Sequence, residues 1–257
     1  MIKKSISLLM MIALMVGFNH TLKAQEKAVS YEMWESIVLT PDNTKLKLLG
    51  DALRKHNQLH HKQAPYKAYV YNIVTGPNVG KLVWEMGPVT FSQLDKRPSG
   101  GTHDDDWRDQ VLPYVKNMAN GEYWRKDDKL SNTGMMSTEG VSHPLLFVRY
   151  LEVADNQGHN INRLLKQISE TVKAMEGENP WGVYHNEFRQ GSKIGRHIAT
   201  VGFYKNWTEF DKENDFRKVF EKLHGENSWD AFDKSMSDTF SNSWDEIWEY
   251  NAKLSGQ

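Results

Sequence analysis

The segment from Trp181 to Val201 carries the densest set of side chains able to move a proton. On an extended strand, alternation places His185, Glu187 and Arg189 on one face, and the next strand adds His197 or Arg196 according to register. A guanidinium grips a carboxylate in bidentate fashion and an imidazole exchanges protons near neutrality, so this trio can hold an acidic substrate and act on it. The same charges also suit a solvent-facing edge strand, and alternation alone does not say which face is inside. Tyr69 and Tyr71 share a face of an earlier strand, and Tyr184 sits beside His185; a phenol serves as acid, base or a core residue with a hydrogen-bonded tip.

Two segments have metal-like composition. Ser99 to Asp106 clusters His103 with three aspartates, but it stands immediately before a helical pattern, where aspartates cap free amides and complement the helix dipole. His56 and His60 lie one helical turn apart with His61 adjacent, a chelating spacing that also suits a helix C-terminus. No metal is expected from either. Zincin, P-loop, dinucleotide and nucleophile-elbow motifs do not occur in the sequence.

The elements that position these groups come in two copies. A shift of 115 residues aligns Pro65 with Pro180, Tyr69 with Tyr184, Gly76 with Gly191, Gly80 with Gly195 and Gly87 with Gly202, while Tyr66 meets Trp181 and Lys81 meets Arg196. A shift of 124 aligns Glu122 with Glu246, Trp124 with Trp248 and Lys129-Leu130-Ser131 with Lys253-Leu254-Ser255. Each half reads as strand, helix, strand, strand, helix, strand. The strands are expected at Tyr31 to Leu39, Tyr66 to Thr75, Val79 to Met86 and Glu122 to Lys126, then at Leu146 to Val153, Trp181 to Gln190, Ile194 to Phe203 and Glu246 to Tyr250. Helical spacing of Leu46, Leu49, Leu53 and His56, and of Ile161, Leu164, Leu165, Ile168 and Val172, gives the first helix of each half, with Asp42 and Asn160 as N-caps. The second helices are expected at Trp107 to Asn120 and Trp229 to Ser241.

A βαββαβ unit carries its helices on one face of an antiparallel sheet and leaves the other face bare. In element order and duplication the chain resembles the dimeric α+β barrel superfamily, in which two ferredoxin-like units pack sheet to sheet around a cavity. The resemblance implies an α+β fold with both repeats in one chain, at 25–135 and 136–257. It covers monooxygenases, haem enzymes, isomerases, cyclases and dehydratases, so it speaks to fold more than to activity.

Residues 1–24 have the form of a signal peptide: Lys3 and Lys4 precede an apolar run from Ile6 to Phe18, too short to span a bilayer, and Ala24 offers a cleavage point. The mature chain is expected in the periplasm or outside the cell. Loss of Lys3, Lys4 and Lys23 takes the net charge from −1 to −4, which gives no reason to seek nucleic acid or an anionic membrane. With no cysteine, neither disulfide nor thiolate chemistry is open to it. Nine tryptophans, ten tyrosines and ten phenylalanines are enough to line a cavity for sugars, flat aromatics or haem, as well as to fill a core.

These features point first to a cofactor-free lyase or dehydratase acting on a uronic-acid-containing oligosaccharide. His185, His197, Tyr184, Arg189 and Glu187 would be catalytic, and Arg196, Tyr69, Tyr71, Trp84, Trp124 and Trp248 would bind substrate, in a monomer or homodimer. Two other readings stay open. One is a monooxygenase-like barrel, either free of cofactor or holding haem on a histidine; the other is a carbohydrate-binding protein without catalysis.

Overall fold

The computed structural model describes residues 30–257 except 138–139, 189–195 and 214. The proposed signal peptide, Arg189 and the turn glycines Gly191 and Gly195 lie outside the described residues. Tyr31–Gln257 forms a compact unit. Its strands are β1 (Met33–Pro41), β2 (Ala68–Ile73), β3 (Leu82–Val89), β4 (Val115–Lys126), β5 (Leu145–Val153), β6 (Trp181–Asn186), β7 (Ile198–Tyr204) and β8 (Phe240–Tyr250). They close into one antiparallel barrel in the order β1-β3-β2-β8-β5-β7-β6-β4. The fold is thus mixed α+β around a closed eight-stranded barrel. The two sheets do not merely face one another; their edges hydrogen-bond, Ile73 opposite Trp248 at one seam and Lys126 opposite Tyr184 at the other. Closure pairs every strand edge, which an open sheet would leave available to other chains.

Alternation along each strand then sorts side chains into an inside and an outside. Inside lie Tyr71, Ile73, Val83, Trp124, Leu146, Val148, Tyr150, Ala199, Val201 and Trp248, forming one apolar cluster. Outside, α1 (Leu46–His60) lays Leu49 and Leu53 on Leu39, Val70, Trp84 and Met86. On the other half, α4 (Ile161–Ala174), α5 (Phe216–His224) and α6 (Ser228–Thr239) cover Leu151, Val183 and Ile198 with Leu164, Leu165, Phe220 and Phe232. Each fully buried Leu or Phe contributes about 1.5–3 kcal/mol, so these two outer cores hold the helices to the barrel wall.

The helix expected over 107–120 does not form. α2 (Phe91–Leu94) and α3 (Gly101–Asp106) are short, a π turn spans Trp107–Val111 and a 3-10 turn spans Leu112–Tyr114, after which β4 begins at Val115. Pro113 lacks the N–H that a continuing helix needs, and β1 offers a long partner edge to the residues that follow. Asp42 does not cap α1; it closes the preceding turn by accepting from Thr44 N at 3.0 Å, and Asn160 stands at the start of α4 without a side-chain cap bond. Gly76, at φ +88°, takes a position no other residue could fill, since a Cβ there would lie 2.3 Å from the Asp245 carbonyl. Among the described residues no helix is long and apolar enough to cross a membrane.

One buried ion pair spans the seam between β4 and the β6–β7 hairpin. Arg196 Nε donates to Glu122 Oε2 at 2.9 Å and Arg196 Nη2 to the Tyr150 hydroxyl at 2.7 Å, with Arg196 and Glu122 only 2% and 0% exposed. Trp124 Nε1 donates to the same carboxylate at 3.0 Å. Arg196→Met is expected to cost about 3–5 kcal/mol, because it strands a carboxylate in a dry interior, whereas pairing it with Glu122→Gln should recover most of that loss. Urea denaturation checks this; a single variant as stable as the parent would remove the pair from its structural role.

Candidate functional site

The barrel encloses a cavity of about 390 Å³. Four strands carry one row of inner positions, because Tyr69 on β2 stands opposite Glu85 on β3, Glu85 opposite Ser36 on β1, and Ser36 opposite Glu122 on β4. This row crosses the inner face. Trp34, Tyr69, Tyr71, Trp124, Tyr150, Tyr184 and Trp248 supply the aromatic lining, with Leu146, Val148, Ala199, Val201 and Phe203 between them. Trp34 meets Tyr184 edge-on at 5.6 Å, and Tyr71 tilts against Trp248 at 5.9 Å, so the walls are a packed set of rings and not isolated side chains. At the mouth, Lys126 pairs with Glu32 and, at 3.1 Å, with Asp128.

Glu85 is the chemically distinctive group here. Burial pushes its carboxyl up to about 7, against the opposing pull of the Ser36 hydroxyl and the Arg196 guanidinium. A carboxyl at that value is part acid and part base at neutral pH, the condition a proton-transfer group needs. The same burial drives the phenols of Tyr71, Tyr150 and Tyr184 well above their ordinary range, the negative charge of Glu85 adding to it in each case. Those tyrosines therefore stay O–H donors. They can hold an oxyanion, but they cannot take a proton.

Of the residues expected in the site, Tyr69, Tyr71, Tyr184, Trp124 and Trp248 line the cavity. The others do not. His185 points outward, its Nε2 lying 3.5 Å from Asp127, and Glu187 receives Arg125 Nη2 at 2.9 Å on the same outer face. Tyr184 faces in, so its neighbour His185 must face out; the charged strand is an outer surface. His197 is also engaged elsewhere, accepting from Val153 N at 3.0 Å. Arg196 is inside but locked to Glu122 and Tyr150, and so structural and not free for substrate. Trp84 belongs to the outer core, where its Nε1 donates to Asn57 Oδ1 at 2.9 Å. Glu85, the residue missed, carries one sequence signal: a lone carboxylate in the otherwise apolar strand Leu82–Val89.

The cavity does not suit haem. Among the described residues neither histidine nor cysteine lines it, and the phenols that remain resist becoming the phenolate that an iron ligand requires. No step is therefore assigned to such a group.

Because Glu85 is neutral when folded over a range where it ionises when unfolded, it lowers stability as pH rises. Its folded value of about 7 lies above the ordinary 4.5, so stability present below pH 4.5 is lost progressively up to about pH 7. Glu85→Gln should accordingly raise Tm at pH 8 and leave it nearly unchanged at pH 4; equal shifts at both values would place the carboxyl in ordinary solvent.

The sequence matches no protein-family model and no curated protein. Solved structures share the architecture. A protein from Fusobacterium nucleatum described as a monooxygenase aligns with a TM-score of 0.53 at 11% identity, over 86% of this chain and 93% of that one. An anthrone oxidase-like protein gives 0.51 at 9% identity, over 86% and 92%. A chlorite dismutase variant from Candidatus Nitrospira defluvii gives 0.51 at 8% identity, over 86% and 93%. The expectation of a lyase or dehydratase in polysaccharide degradation is corrected by these neighbours, described as a monooxygenase, an anthrone oxidase-like protein and a chlorite dismutase, and by the outward face of the strand on which it was built. What the chain is shown to share with them is the fold, a mixed α+β arrangement around a closed eight-stranded antiparallel barrel.

Proposed function

We propose that the chain is an exported, cofactor-free, monooxygenase-like oxidoreductase that acts on a small flat aromatic with an acidic C–H bond, using Glu85 as its base. The observation that carries this is one carboxyl poised at about 7 inside a box of aromatic rings. The neighbours described as a monooxygenase and as anthrone oxidase-like support the class. The barrel is read as two ferredoxin-like repeats, because β4-β1-β3-β2 and β8-β5-β7-β6 run in the same fourth, first, third, second order.

Substrate rings stack on Trp34, Trp124 and Trp248, and a cavity of 390 Å³ is near the small end of the range for organic ligands. Glu85 takes a proton from a doubly benzylic methylene beside a carbonyl-bearing ring. The charge spreads onto the substrate oxygen, where protonated Tyr69, Tyr71 or Tyr184 can donate to it. The carbanion passes electrons to dioxygen and bonds to it, and the proton on Glu85 returns to the peroxide. Glu85 then removes the second C–H proton, the O–O bond breaks, and hydroxide leaves and is protonated. One oxygen atom ends in the new carbonyl and the other in water, so dioxygen is the sole oxidant.

Anthrone and an oxygen electrode test this with the purified chain. Turnover should consume one dioxygen per substrate, rise with pH through about 7 as Glu85 ionises, and fall about 10²-fold or more in Glu85→Gln. Full activity in Glu85→Gln, or turnover appearing only after haem is added together with a Soret band, would overturn the assignment.

A further inference from the structure

A second polar cluster lies outside the barrel, where the C-terminal turn of α1 meets α3. It joins the two segments whose composition looked metal-like when each was read alone. His56 and His61 are buried, His103 is partly buried, and the three rings stand 5.0–5.2 Å apart between centroids against Trp84 and Trp107.

The hydrogen bonds fix which nitrogen each ring offers. His56 Nδ1 lies 2.9 Å from Asp106 Oδ2, His61 Nδ1 3.0 Å from the Tyr66 carbonyl, and His103 Nδ1 2.7 Å from Asp104 Oδ1. Carboxylates and carbonyls only accept, so every Nδ1 carries a proton, and in each neutral ring the Nε2 presents a lone pair. Yet His61 Nε2 and His103 Nε2 face each other at 3.1 Å, and His56 Nε2 is buried without a partner. Lone pairs so arranged repel unless a cation sits among them. One ring nitrogen from each of the three lies within 4.8 Å of the others, and nitrogens bound tetrahedrally to zinc at 2.0–2.1 Å stand about 3.3 Å apart. Carboxylates and a carbonyl behind the Nδ1 atoms are the usual outer support of such ligands.

We propose that His56, His61 and His103 bind one divalent metal ion of the zinc class through their Nε2 atoms, with Asp106, Asp104 and the Tyr66 carbonyl as the outer layer. His60, partly exposed, borders the site with its ring centroid 5.1 Å from that of His103. The ion would pin the Gly101–Asp106 turn to α1, a cross-link in a chain that has no disulfide to offer.

The test is made on the full mature chain without an affinity tag, stripped with a chelator and titrated with zinc chloride. One ion per chain and a zinc-dependent rise in Tm are expected, and cobalt should give the intense visible bands of a tetrahedral site. His103→Ala, at a partly exposed position, should weaken binding at least 100-fold. Asp106→Asn should weaken it about 10–100-fold, and His159→Ala, on the surface elsewhere, should change nothing. If His61→Ala does not fold, His103→Ala decides. No stoichiometric zinc, or unchanged affinity in folded His103→Ala, would overturn the proposal and leave the close Nε2 pair to a shared proton.

Discussion

Glu122 and Arg196 reach each other from opposite halves of the chain, and their contact fixes where β4 stands relative to the β6–β7 hairpin. A buried charge tolerates little displacement, because a shift of even a few tenths of an ångström loses hydrogen bonds that nothing in a dry interior can replace. The counterpart at the other seam uses a longer relay: Lys81 donates to Asn78 at 2.7 Å, and Asn78 donates to Glu246, which also receives Trp248 Nε1 at 2.8 Å. In each half a cation from the hairpin thus serves the glutamate on the last strand of the other half. Both seams are polar latches in the barrel wall.

Those latches explain the character of the cavity. Glu122 and Glu246 are consumed by indole, guanidinium and amide donors, whereas Glu85, in the same inner row as Glu122, faces the chamber. One interior carboxylate is paired and structural; the other keeps its proton near neutrality because burial outweighs the pull of the Ser36 hydroxyl and the Arg196 guanidinium. Indole N–H groups spent on Glu122 and Glu246 also hold Trp124 and Trp248 in single orientations, so the aromatic floor is pre-formed and not assembled by the ligand.

Outside the barrel, α1 serves two purposes with one helix. Its Leu49 and Leu53 seal the outer core, and its Asn57 ties Trp84 to the Leu254 carbonyl, with Asn57 Nδ2 donating there at 2.7 Å. One turn further on, the histidines gather against α3. The polar nest is thus anchored to the same wall whose other side faces the chamber, and the two sites are separated by the thickness of one strand layer.

The sequence by itself determined the α+β class, most strand positions and the helices at Leu46–His60 and Ile161–Ala174, since hydrophobic periodicity is a local property of the chain. It also supplied the aromatic lining, because Tyr69, Tyr184, Trp124 and Trp248 recur at matched positions of a strand pattern. Which face of a strand turns inward is not local. Tyr184 and His185 are equally plausible inner residues until β6 pairs with β4 and β7, and that pairing put the His185 face on the outer wall. Glu85 became distinctive only when four strands enclosed it, since desolvation by neighbours remote in sequence raises its pKa. The histidine nest shows the same limit: His56 and His103 are 47 positions apart, and neither segment alone has enough ligands to bind an ion. Tertiary structure decided these matters because burial and ligand geometry are sums over residues that only folding brings together.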